Sequence, residues 1–170
     1  MAILPILEVP DNKLRRISKP VEAVTDELRQ LMDDMLDTMY AAPGVGLAAV
    51  QVDVPVRILV IDCADDDEKP NPLCFVNPVV TWTSEELNEY KEGCLSVPEQ
   101  YSLVIRPAEC RIEYLDYDGN AQKQELDGML ATVFQHEMDH LEGILFIDHI
   151  SKIKKTMIIK KLTKAKKLAL

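Results

Sequence analysis

"DGMLATVFQHEMDHLEG", residues 127–143, decides how the rest of the chain is read. Met129, Leu130, Val133, Phe134, Met138 and Leu141 recur at helical spacing, Asp127 can cap the start, and Gly143 can end the segment. The spacing predicts one helix. On it His136 and His140 stand four residues apart, so both rings project from one face, one turn apart. Glu137 follows His136 directly and can reach a water near both rings. The pattern is H-E-x-x-H, in which two imidazoles hold a metal and the glutamate is the general base. A mostly apolar helix would not gather two imidazoles and a carboxylate without a use for them. An ordinary helix with two hydrogen-bonded histidines is the plainer alternative.

The segments around this helix read mostly as strands. "VRILVIDC" (56–63) predicts a buried strand, and "CFVNPVVTW" (74–82) a strand that Pro78 assigns to an edge or a bulge. "CRIEYLDYDGNAQKQEL" (110–126) predicts a hairpin turning at Asp118-Gly119, and "DDDEKPNP" (65–72) a solvated loop. Residues 25–44 predict a helix capped by Thr25 and stopped by Pro43-Gly44, with Met32, Met35 and Met39 as core filler. A third helix is predicted from Ser151, with Ile153, Met157, Ile158, Leu162, Ala165 and Leu168 or Ala169 along one side. The class is α+β: antiparallel or mixed sheets packed around a central metal-binding helix, with an N-terminal and a C-terminal helix. The length of 170 residues fits one domain, and no repeat or linker divides it. Residues 1–150 are expected to form the catalytic part, and 151–170 a basic C-terminal helix of the same domain.

Composition narrows the function. At 47% apolar the chain can fold on burial alone, and no stretch is long and apolar enough for a membrane span. "MAILPILEVPDNKL" lacks the pattern of a secretory signal, so none is expected. Cysteines at 63, 74, 94 and 110 form no C-x-x-C pair, which suits a reducing cytoplasm. Net charge is −10, unevenly spread: residues 151–170 carry eight lysines and no acid, which leaves the first 150 residues at −18. The body should not bind nucleic acid indiscriminately, whereas the tail is a candidate for an anionic partner.

A catalytic metal needs a third protein ligand and an open position. The longer pattern H-E-x-x-H-x-x-G-x-x-H fails at Phe146, and Glu142 is the last glutamate of the chain. Asp148 is a weak candidate, and His149 reads better as an exposed histidine at a helix start. The missing ligand is therefore sought upstream. "YKEGCLSVPEQY" (90–101) offers Cys94 beside Gly93; a thiolate is a good ligand, and a buried core cysteine is the alternative. "GVGLAAVQ" (44–51) places two glycines and small residues where backbone can pack closely, and ends in Gln51, a polar residue that solvent alone would also explain.

Together, Gly44-Val45-Gly46-Leu47-Ala48-Ala49-Val50-Gln51, Glu92-Gly93-Cys94-Leu95-Ser96 and His136-Glu137-Met138-Asp139-His140 resemble the three ordered motifs of the peptide deformylases over essentially the whole chain. The resemblance implies a hydrolase that removes the N-formyl group from newly made polypeptides. It implies one divalent metal on Cys94, His136 and His140, with Glu137 as general base and the Leu95 backbone N–H and Gln51 amide as oxyanion donors. In that family Fe2+ is the usual metal, and Zn2+, Ni2+ or Co2+ replace it. The methionine pocket is implied among Val45, Gly46, Leu95 and Val133. Many relatives carry arginine where this chain has Tyr101. Some dock on the ribosome through a C-terminal helix, which makes the ribosome a candidate partner of this tail.

Overall fold

The computed structural model describes residues 2–65 and 67–169. In chain order the elements are α1 (Asp26–Ala41), β1 (Gly46–Ala48), β2 (Ile58–Ile61), β3 (Leu73–Thr83), β4 (Leu87–Cys94), β5 (Val97–Pro107), β6 (Cys110–Leu115), β7 (Ala121–Leu126), α2 (Gly128–Leu141) and α3 (Lys152–Ala169). Strands β1-β2-β3-β6-β7 form one antiparallel sheet in that order, and β4-β5 form a separate hairpin. Among the described residues the strand pairs are antiparallel throughout, and the one parallel contact is an isolated bridge between Lys19 and Val56.

Strand β2 shows how the layers form. All four of its residues are buried, as a strand covered on both faces requires. Because side chains alternate, Leu59 and Ile61 pack with Ala131, Phe134 and Leu141 of α2. Ile58 and Val60 pack with Met32, Met35 and Met39 of α1. The sheet is thus held between the two helices, and the methionines are core filler as expected. Thr25 caps α1, its Oγ1 accepting the Leu28 N–H at 3.2 Å. Asp127 occupies the capping position of α2, but its side chain makes no capping bond.

Two expectations are settled and one needs correction. Strand β3 is interior to its sheet, so Pro78 marks a bulge and not an edge; the register shifts between Val76 and Val79 and again between Val80 and Trp82. The loop 65–72 is irregular at its described positions, and Asp66 lies outside them. The apolar stripe drawn on the tail is too broad. Only Ile158 and Leu162 of α3 are buried, with Ile159 beside them, whereas Ile153, Met157 and Leu168 face solvent. The buried residues join Phe146 and Ile147 of a 3-10 turn (Phe146–His149) and Val97 and Val104 of β5 in a third cluster. Strands β4 and β5 were not expected from the sequence. Among the described residues no helix is long and apolar enough to cross a membrane.

Candidate active site

Cys94 ends β4, and its Sγ stands 3.3 Å from His140 Nε2. The ligand atoms of Cys94, His136 and His140 all lie within 4.8 Å of one another. Ligands ~2.3 Å (sulfur) and ~2.0 Å (nitrogen) from one tetrahedral ion stand roughly 3.5 Å apart, so the spacing fits a shared metal. The donor set fits as well, since one thiolate and two imidazoles suit iron or zinc. His140 is fully buried, and burial, then the neighbouring His136, push its pKa well below the ordinary value. The neutral imidazole so favoured is the ligating form.

His136 is oriented from behind. Its Nδ1 lies 2.9 Å from Glu92 Oε1, which leaves Nε2 for the site. Arg106 grips the same carboxylate with two bonds, at 2.7 and 3.0 Å, and reaches Asp139 at 2.8 Å with its remaining nitrogen. Burial would raise the pKa of Glu92, but the hydrogen bonds from His136 and Arg106 outweigh it and hold the group at about 2. Sequence reading missed this network. No local signal was available: β4 was not legible as a strand, and its register shifts between Glu92 and Cys94.

Glu137 is buried, with Oε1 at 3.8 Å from His136 Nε2 and 3.9 Å from His140 Nε2. Its Oε2 has no hydrogen-bond partner among the described residues. Burial, only partly offset by the nearby His136, pushes its pKa up to about 7. Gln51 is buried too, so solvation does not explain it. Its Oε1 accepts the Ala48 N–H at 2.9 Å, and its Nε2 donates to Ser96 Oγ at 2.9 Å and points to Cys94 Sγ at 3.6 Å.

The two glycines of the 44–51 segment owe their place to packing. A Cβ on Gly44 would sit 2.8 Å from Leu95 Cδ1, and one on Gly46 3.0 Å from Val133 Cγ1 and 3.1 Å from Glu137 Cδ. The backbone of this segment therefore forms one wall of a cleft of about 840 Å³, whose lining includes Val45, Gly46, Leu95, Val133 and Glu137. Tyr101 stands at the rim with its ring across Gly93. Asp148 is elsewhere, bonded to Arg15, Lys155 and the Leu145 N–H. His149 closes the 3-10 turn and lies 2.8 Å from Asp139, so it belongs to the supporting network rather than to a free helix start.

A helix with H-E-x-x-H, a facing cysteine and a buried glutamate define the class of metallohydrolases. Residues 3–156 match the family model for polypeptide deformylase. The chain belongs to that family and is a deformylase. The peptide deformylase of Pelagibacter ubique (strain HTCC1062) is 60% identical over 98% of this chain and 96% of its own length. That of Phenylobacterium zucineum (strain HLK1) is 54% identical over 99% and 100%. A crystal structure of peptide deformylase from Ehrlichia chaffeensis in complex with actinonin aligns at a TM-score of 0.93 and 43% identity, covering 97% of this chain and 98% of that one.

Proposed function

We propose that the substrate is the formyl-methionine end of newly made polypeptides, and that the products are formate and a free amino terminus. Cys94, His136 and His140 are assigned as the ligands of one divalent metal, iron in the cell, with zinc, nickel or cobalt as substitutes. When bound, the ion supplies Lewis acidity and acidifies a water. Glu137 takes the proton from that water and later delivers it to the departing amine. The Gln51 amide and the Leu95 backbone N–H donate to the formyl oxygen as negative charge gathers there; one such donor is worth ~3 kcal/mol, about a hundredfold in rate. Val45, Gly46, Leu95 and Val133 are assigned to the methionine side chain, and the peptide backbone to an extended path along 44–46.

The observation that carries this reading is Glu137, buried beside both imidazoles with one oxygen unbonded. A small H-E-x-x-H peptidase would leave Cys94 without a role. The cytoplasm, where such substrates are made, is the proposed location, and the ribosome the proposed partner of α3. The test is formate release from a short formyl-methionyl peptide, run anaerobically with the metal measured. Release is expected from the native chain, and loss of both metal and release from Cys94→Ser. A metal-loaded chain that releases no formate rejects the reading.

A further inference from the structure

In a sheet with one solvated face, apolar side chains normally turn inward and polar ones outward. Strand β5 departs from this beside the cleft, with apolar side chains on its solvent face and an arginine among the inward ones. Along "YSLVIR" (101–106), Arg106 turns inward to Glu92 and Asp139, with Ser102 and Val104 on the same side. Tyr101, Leu103 and Ile105 turn to solvent, 63%, 58% and 58% exposed. Leu87 of β4, paired with Pro107, prolongs the row and is 57% exposed. Single exposed apolar residues are ordinary, whereas a contiguous row marks an interaction surface.

The row is continuous with the site. Tyr101 also lines the cleft, and its ring lies against Gly93, where any Cβ would fall 2.5 Å from ring Cε1. Lys91 Nζ stands over the same ring, 5.6 Å from its centre. A polypeptide whose first residue is held in the cleft must leave over its rim, and the part of the rim at Tyr101 adjoins the row. From Tyr101 to Ile105 the strand advances roughly 13 Å, the span of about four extended substrate residues.

We propose that the apolar row Tyr101, Leu103, Ile105 and Leu87 on the outer face of the β4-β5 hairpin, with the paired Glu89 and Lys91 beside it, is an exosite for the downstream part of the polypeptide substrate. It selects an extended apolar stretch a few residues beyond the formylated end. This rests on the deformylase reading. Leu103 and Ile105 are not among the residues lining the cleft, so their role separates from catalysis.

The test uses the full chain and its Leu103→Thr/Ile105→Thr variant, which keeps residues that favour a strand. The substrates are a short formyl-methionyl dipeptide and two longer formyl-methionyl peptides of equal length. One continues in Leu, Ile and Val, the other in Ser and Gly. The native chain should favour the apolar long peptide on the order of tenfold in kcat/KM, through KM, and the variant should lose most of that preference. Both should process the dipeptide equally, with matching circular dichroism. Absence of a preference in the native chain, or its survival in the variant, overturns the exosite while dipeptide turnover leaves the deformylase reading standing. A dimer abolished by the threonine variant, with no peptide preference, would assign the face to a second copy and also overturn it. If the variant fails to fold, Leu103→Thr alone is read by the same comparison.

Discussion

Glu137 combines two properties that the proposed general-base role requires. It is sealed from solvent, which lifts its pKa to about 7, so it can both accept and return a proton near neutrality. It also lies slightly too far from either imidazole nitrogen, 3.8 and 3.9 Å, to be tied up by them. Glu137→Gln preserves shape and removes the proton transfer. We expect unchanged metal content and unfolding midpoint, with formate release lowered about 10²- to 10⁴-fold. Retention of more than about a few per cent of the activity, assayed with metal analysis, would sink the general-base role. His140→Ala should instead lose metal and activity together, because its ring is one of the three proposed donors.

The elements meet at three joints, two of them glycines of different stiffness. At the end of α2, Gly143 has φ of +73°, and a Cβ there would fall 2.5 Å from the Arg15 carbonyl oxygen and 2.9 Å from its carbon. Backbone cannot swing aside, so Gly143→Ala should cost more than about 2 kcal/mol by denaturant midpoint. At Gly93 the obstacle is the exposed Tyr101 ring, which can move, so Gly93→Ala should cost less than about 1 kcal/mol. The other joint is Arg106, which links the hairpin bearing Cys94 to the helix bearing both histidines. Arg106→Gln leaves Glu92 buried without its cation, and a loss of about 3–5 kcal/mol is expected, with faster metal loss on dialysis. Helix α2 was legible in the sequence because motif and helical period coincide there. Strands β4 and β5 were not, since their inward residues Glu92 and Arg106 are polar and satisfied by one another and by α2. Cys94 was legible as a candidate ligand only through the company of other motifs, because nothing local ties it to His136, 42 positions on. Gln51 had no local signal either; its burial depends on contacts with Ser96 that only the fold creates.

At the scale of the molecule, the C-terminal helix is both a structural part and a charged surface. Asp148 fastens it, accepting from Arg15, Lys155 and the Leu145 N–H. Burial would raise the pKa of Asp148, but these partners lower it from 3.8 to about 2. A depressed carboxylate stabilises fully above its unfolded value, so the contribution should hold above about pH 4 and fade as pH falls toward 2. Asp148→Asn should remove that part of the acid sensitivity, on the order of 1 kcal/mol after solvent screening, as read from unfolding midpoints across that range. Because Ile158 and Leu162 sit in the core, deleting α3 would damage the fold, and charge substitution is the cleaner probe of its surface. Lys160, Lys161, Lys164, Lys166 and Lys167 are all exposed, on a helix attached to a body of net charge −18. RNA would repel that body and attract the helix, so ribosome binding should run through the lysines and weaken steeply with salt. Replacing these five by Gln should leave hydrolysis of a short formyl peptide intact and abolish salt-sensitive co-sedimentation with ribosomes. If the native chain does not co-sediment at low salt, or the substituted chain does so equally, the lysines serve only to keep a surface helix soluble.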